Sequence, residues 1–134
     1  MVQLIVVSHG SFSKALVESA ELIVGELTDI ETFGFNLGDD IDALRNDIAD
    51  AVTRAQKKGE VLVLTDMLSG SPFNATASLM EKYQFEHLTG INFVIFLEIL
   101  TSRDSRTARE LVEMAVTSGK ETIVDVNTYI KEVL

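Results

Sequence analysis

Two short, uninterrupted apolar runs stand out in the hydrophobic pattern of this chain. Leu4–Val7 and Val61–Leu64 contain no polar residue, which is typical of strands buried on both faces of a parallel sheet. Ile30–Phe35 alternates apolar and polar residues and predicts a strand with one less buried face. His87–Asn92 predicts a fourth short strand with the turn that follows it.

Segments with apolar residues at helical spacing separate these strands. The first three predicted helices run from Ser11 or Ser13 to Gly25, from Asp40 to Lys58, and from Pro72 to about Tyr83, with Ser71 as the N-cap of the third. Two more helices are predicted over Phe93–Leu100 and Ala108–Ser118. Tyr129–Leu134 is predicted to form a short helix or a frayed end. The Phe93–Leu100 segment also allows a strand. Thr122–Val126 has strand character and predicts an additional C-terminal strand.

The alternation of strands and helices predicts one α/β domain over residues 1–134, with a mainly parallel four-stranded sheet between two layers of helices. We predict the doubly wound strand order 2-1-3-4. His9 and Asp66 each lie two residues beyond an apolar strand core. Right-handed crossovers therefore bring both to the same edge of the sheet, where open α/β sheets bind their ligands.

Composition narrows the possible functions. The 134 residues carry a formal net charge of -10, which argues against nucleic acid and against an anionic membrane surface as partners. The absence of cysteine excludes disulfides and thiolate chemistry. No apolar run approaches the roughly 20 residues of a membrane span, and the N-terminus lacks the basic start of a signal peptide. A cytoplasmic protein is the simplest interpretation.

The turn after the first strand combines a histidine with the start of a helix. The first N–H groups of a helix lack internal partners, so such a turn can bind an anion. Asp66 can hold the proton on one ring nitrogen of His9 and leave the other nitrogen as a nucleophile toward phosphorus. Backbone amides of the turns around Ser11 and Ser71 would then hold the phosphoryl oxygens.

Two motifs carry a family resemblance. Ser-His-Gly after the first strand and Thr-Asp-Met-Leu-Ser-Gly-Ser-Pro-Phe-Asn after the third resemble the mannose-family enzyme IIA of the bacterial phosphoenolpyruvate-dependent sugar phosphotransferase system (PTS). The Gly90-Ile91-Asn92 turn and Glu98 also match, and the resemblance spans nearly the whole chain.

The resemblance implies roles for individual residues. His9 would be the phosphorylated nucleophile, Asp66 would orient it, and Ser71, with Gly10 and Ser11, would bind the phosphoryl group. No metal or organic cofactor is expected. The resemblance also implies a phosphoryl carrier that accepts phosphate from the histidine phosphocarrier protein HPr and passes it to a IIB component. The membrane components IIC and IID would be indirect partners, at the inner face of the membrane.

Family members are typically homodimers that exchange a C-terminal strand, and Thr122–Val126 would have that role here. The chain departs from the family pattern at Ser69, where a glycine is usual, and at Val94, where a proline is usual. Ser69 adds a hydroxyl near the site, and Val94 changes the expected backbone geometry of its loop.

Several alternatives remain open from the residues themselves. His-Gly-Ser after a first strand also resembles the metal-binding turn of tetrapyrrole metal chelatases, which would need a second ligand near His9. We expect His87 to be structural or exposed, at the edge of the sheet opposite His9. A receiver-like module phosphorylated on Asp66 would need an acidic pair where Ser8 and His9 stand. Met67 and Leu68 are interpreted as an apolar rim for a partner, with plain core packing as the alternative.

Overall fold

Four parallel strands form one sheet in the computed structural model, which describes residues 1–134. The strands are β1 (Gln3–His9), β2 (Ile30–Phe35), β3 (Val61–Thr65) and β4 (Glu86–Thr89). Their order is β2-β1-β3-β4, and every neighbouring pair is parallel. The predicted sheet and its order 2-1-3-4 are confirmed.

Six helices complete the chain. They are α1 (Phe12–Val24), α2 (Ile41–Gln56), α3 (Ser71–Ala77), α4 (Phe93–Ser102), α5 (Ala108–Gly119) and α6 (Val126–Val133). The segment after Asn92 is therefore a helix, as preferred over the strand. No helix combines the length and the apolar character that crossing a bilayer requires.

The predicted strand at Thr122–Val126 is absent from this single chain. Residues 122–125 belong to no helix or strand, and α6 already begins at Val126. The side chain of Asp125 accepts a hydrogen bond from the Thr128 N–H and so caps the helix. A β-branched segment needs a neighbouring strand to pair with, and within the chain this segment has none. The exchange of this segment between two copies stays a prediction.

Two apolar clusters sandwich the sheet. Alternate residues of β1 point to opposite faces, so Leu4 and Val6 join a cluster with α1, α4 and α5. Ile5 and Val7 join the second cluster, with α2 and α3. Complete burial of such aliphatic side chains contributes about 1.5–3 kcal/mol each. Both faces of β1 are therefore covered, which explains its unbroken apolar run.

The parallel register brings the ends of β1 and β3 together. Val7 pairs with Thr65, the last residue of β3, so Asp66 leaves the sheet beside the end of β1. On the other side, His9 pairs with Phe35. The same sheet edge thus presents His9 and the turn that begins at Asp66, as the sequence predicts.

Candidate functional site

His9 and Asp66 form a paired site at this edge. One carboxylate oxygen of Asp66, Oδ2, lies 2.8 Å from His9 Nδ1 and accepts a 2.9 Å hydrogen bond from the His9 backbone N–H. The other oxygen, Oδ1, accepts a 3.1 Å bond from the Met67 N–H. The carboxylate is fixed by three contacts, and it fixes the imidazole in turn.

The environment of Asp66 favours its ionised form. Partial burial is the largest single effect and raises the pKa of this carboxyl. The hydrogen bonds from the His9 N–H and imidazole, together with the attraction of the ring, outweigh burial and hold the pKa below its usual value. An ionised carboxylate can only accept hydrogen bonds. Nδ1 of His9 therefore carries the proton, and in the neutral ring Nε2 keeps its lone pair.

The two members of the pair differ in their access to solvent. The His9 side chain is 47% exposed and that of Asp66 is 16% exposed. The His9 ring is therefore within reach of a partner protein, while the carboxylate that contacts it is shielded. This division suits a group that exchanges a ligand with other proteins.

The turn after His9 depends on a close approach of two backbone segments. The Gly10 N–H donates a 2.8 Å bond to the Phe35 carbonyl. This amide is therefore not free to bind the phosphoryl group, the role predicted for Gly10. A Cβ on Gly34 would lie 2.1 Å from the Gly10 carbonyl oxygen. Only glycine at position 34 allows this approach, and the approach fixes where the turn leaves the sheet.

The start of α1 is capped by Ser8, a residue that the sequence did not single out. The buried Ser8 hydroxyl accepts a 2.7 Å hydrogen bond from the Ser13 N–H. Ser11 occupies the N-cap position, but its side chain makes no capping bond. The hydroxyl of Ser13 instead donates to the Phe33 carbonyl. The exposed Ser11 therefore has a hydroxyl that does not take part in capping the helix.

The second turn brings the start of α3 against the imidazole. Gly70 is the N-cap of α3, and the helix begins at Ser71 with Pro72 in its first turn. The predicted proline position is confirmed, and the cap lies one residue earlier than predicted. Gly70 packs so closely on His9 that a Cβ there would lie 2.8 Å from Nε2. Ser71, the next residue, thus follows directly after the residue that touches the ring.

Exposed apolar side chains surround this edge. Met67 and Leu68 are exposed, as expected for a partner rim. Phe12, at the start of α1, and Leu37, just after β2, are exposed as well. The sequence signal that could have identified these two residues is their position, next to strand ends that share the edge with His9. We call Phe12, Leu37, Met67 and Leu68 the apolar rim.

His87 lies near the start of β4, as predicted, and it is structural, but its ring extends toward the edge that carries Asp66. Its Nε2 lies 2.8 Å from the hydroxyl of Thr65, the residue before Asp66, and its ring lies 5.3 Å from that of Phe73 in α3. Burial lowers the pKa of His87 to about 4, so the ring is neutral near pH 7. No group of three or more His, Asp or Glu residues in the chain could hold a metal ion.

Comparison with known proteins identifies the family. A family model described as the PTS system fructose IIA component matches residues 3–116. The chain belongs to this family. It is 33% identical to a PTS fructose-specific EIIA component of Bacillus subtilis over 84% of this chain and 77% of that protein. It is also 29% identical to a PTS mannose-specific EIIAB component of Escherichia coli, over 90% of this chain but only 38% of that longer protein.

The fold agrees with this assignment. The crystal structure of the phosphotransferase system component EIIA from Streptococcus agalactiae superimposes with a TM-score of 0.87 at 32% identity, covering 96% of this chain and 99% of that one. The PTS IIA chain is therefore a sugar phosphotransferase component of the mannose and fructose type, with a transferase role. The resemblance drawn from the Ser-His-Gly and Ser-Pro-Phe-Asn motifs is confirmed at the level of the family.

Proposed function

We propose that this IIA component carries a phosphoryl group on Nε2 of His9, received from HPr and passed to a IIB component. The observation that carries the proposal is the 2.8 Å contact between His9 Nδ1 and the Asp66 carboxylate. This contact leaves Nε2 as the one ring nitrogen with a lone pair, on a side chain that is about half exposed.

Every bond and electron pair of the transfer can be accounted for without a cofactor. The Nε2 lone pair of His9 attacks phosphorus as the bond from phosphorus to the donor's histidine nitrogen breaks, and that bond's electron pair returns to the donor's ring. Positive charge develops on the His9 ring, and the Asp66 carboxylate stabilises it while Nδ1 keeps its proton. In the second half of the cycle an acceptor group on IIB attacks the same phosphorus, and His9 regains its lone pair.

Ser71 and Ser11 are the proposed donors to the phosphoryl oxygens from this chain. Ser71 follows the residue that contacts the imidazole, and Ser11 lies two residues beyond His9 with its side chain exposed. Phosphoryl transfer depends mainly on positioning and on stabilising the charge of these oxygens. The chain has a net charge of -10, so we assign most of the neutralising positive charge to the partner proteins.

The apolar rim is the proposed docking surface for these partners. Its four side chains are exposed on the edge that carries His9, and exposed apolar groups around a polar site are characteristic of interaction surfaces. Both HPr and IIB must reach the same phosphorus, so both are expected to use this surface. The protein would then act in the cytoplasm, at the inner face of the membrane that holds its transporter.

A homodimer is also proposed, with the C-terminal segment exchanged between two copies. Residues 122–125 pair with no strand in the chain, and no residue of α6 is buried. Tyr129, Ile130 and Val133 are exposed apolar residues of this helix. A second copy would cover them.

The phosphoryl carrier is tested by incubating the chain with phosphoenolpyruvate, enzyme I and HPr. We expect an acid-labile, base-stable phosphate on His9. His9→Gln should carry no phosphate, whereas His87→Gln, which changes the one other histidine, should keep it. A wild-type chain that gains no phosphate under these conditions contradicts the proposal.

A further inference from the structure

We infer that Gly70 is a steric positioning residue, whose missing Cβ leaves room for the His9 ring against Asp66 and keeps the space around Nε2 open. The inference rests on the proposed phosphorylation of His9 and adds a residue to that site. Gly70 has no side chain, so its influence on the reaction comes from where its backbone lies and from the Cβ it lacks.

The contact between Gly70 and the imidazole is close. A Cβ built on Gly70 would lie 2.8 Å from Nε2 and 2.9 Å from Cε1 of His9. Favourable contacts between non-bonded carbon atoms lie at about 3.5–4.0 Å. A methyl group at position 70 therefore overlaps the edge of the ring that contains the proposed nucleophile.

The ring cannot move away without losing its orientation. Its Nδ1, which is bonded to Cε1, is held at 2.8 Å by Asp66 Oδ2, and the same oxygen also accepts the His9 backbone N–H. The Met67 N–H fixes the other carboxylate oxygen. Asp66 thus holds the imidazole in the position where a Cβ at position 70 would meet it. A methyl group at position 70 therefore crowds Nε2.

Crowding at Nε2 affects the reaction rather than the docking of partners. Attack requires phosphorus to approach within about 3–3.5 Å of the nucleophile, and a misplacement of about 1 Å can lower a rate about 100-fold. The apolar rim does not include Gly70. We therefore expect Gly70→Ala to lower kcat for phosphoryl acceptance and to leave KM for HPr nearly unchanged.

The chain contains a matched control for the backbone strain of this substitution. Gly70 has φ 88° and ψ 177°, a conformation that side chains disfavour. Gly25, at the end of α1, has φ 88° and ψ -171°. A Cβ on Gly25 would meet no atom within 4 Å. Gly25→Ala thus introduces the same strain without a contact to His9.

The test compares wild type, Gly70→Ala and Gly25→Ala. Phosphoryl transfer from phosphorylated HPr is followed by rapid quench, and we expect Gly70→Ala to be slower by about 100-fold while Gly25→Ala stays near wild type. The rate of carbethoxylation of His9 by diethyl pyrocarbonate measures access to Nε2 without any phosphoryl donor. We expect it to fall about tenfold in Gly70→Ala relative to Gly25→Ala.

The possible outcomes separate this inference from the proposed function. Equal transfer rates in the two alanine variants overturn the role of Gly70, as does carbethoxylation that is equal or faster in Gly70→Ala. If wild type accepts no phosphate, the proposed function fails, and carbethoxylation still tests the contact. If Gly70→Ala melts below Gly25→Ala, adding His9→Ala to both variants should abolish the difference, because it removes the ring; a difference that persists also overturns the inference.

Discussion

Asp66→Asn isolates the charge that orients and stabilises the nucleophile. An amide side chain has nearly the same shape as the carboxylate, and its oxygen can still accept the hydrogen bonds that His9 donates. What is lost is the negative charge 2.8 Å from Nδ1, together with the weaker bond from the exposed Met67 N–H, which an amide NH2 cannot accept. Hydrogen bonds to charged groups contribute about 1.5–3 kcal/mol. Because about 1.4 kcal/mol corresponds to a factor of ten, we expect phosphoryl transfer to slow by roughly 10- to 150-fold.

The assay is single-turnover transfer from phosphorylated HPr, measured by rapid quench, with circular dichroism to establish that the variant is folded. Asp50→Asn is the matched control, because it removes one charge from an exposed position in α2. The control should transfer at the wild-type rate. If Asp66→Asn and Asp50→Asn have equal rates, the carboxylate has no part in the transfer, and the reasoning from its contact with Nδ1 is refuted.

Three further predictions concern the stability of the fold and the oligomeric state. Since burial holds the pKa of folded His87 at about 4, against 6.5 unfolded, the unfolded chain takes up the proton first as the pH falls. The free energy of unfolding should decrease as the pH is lowered from about 6.5 to about 4, by about 1–2 kcal/mol after allowing for the partial exposure of the ring. In urea unfolding, His87→Gln should lack this pH-dependent decrease, and the same pH dependence in wild type and variant would contradict the prediction. Gly34→Ala should destabilise the fold by about 1–3 kcal/mol, because its Cβ would overlap the Gly10 carbonyl oxygen; an unchanged urea midpoint would exclude the overlap. Light scattering should give the mass of two chains for the protein and of one chain after truncation at Thr122, whereas a monomeric intact protein contradicts the exchanged dimer.

The fold was largely predictable because its determinants are local patterns. Leu4–Val7 and Val61–Leu64 are unbroken apolar runs since both faces of their strands are covered. Once these strands are parallel, the shared edge of His9 and Asp66 follows from the direction of the chain. The C-terminal segment was not predictable in the same way, because a β-branched sequence becomes a strand only where another strand is available.

The finer structure of the site depends on contacts that no local pattern encodes. Ser8 ends an apolar run, and only the structure shows that its hydroxyl caps α1. The contact of Gly70 with His9 joins two turns that lie far apart in the sequence. His87 lies near the beginning of β4, yet its ring reaches Thr65 at the other end of β3. The contacts of Gly70 and His87 depend on how neighbouring strands and turns meet, which the sequence alone leaves unspecified.

We propose that the phosphoryl group is attached to Nε2 of His9, because Asp66 holds the proton on Nδ1. The most direct measurement is a long-range proton–nitrogen correlation spectrum of the ¹⁵N-labelled protein, recorded before and after phosphorylation by HPr. We predict phosphorus coupling at Nε2 of His9, with Nδ1 protonated in both states. Phosphorus coupling at Nδ1, or a phosphate on any other residue while His9 stays unmodified, would contradict the account.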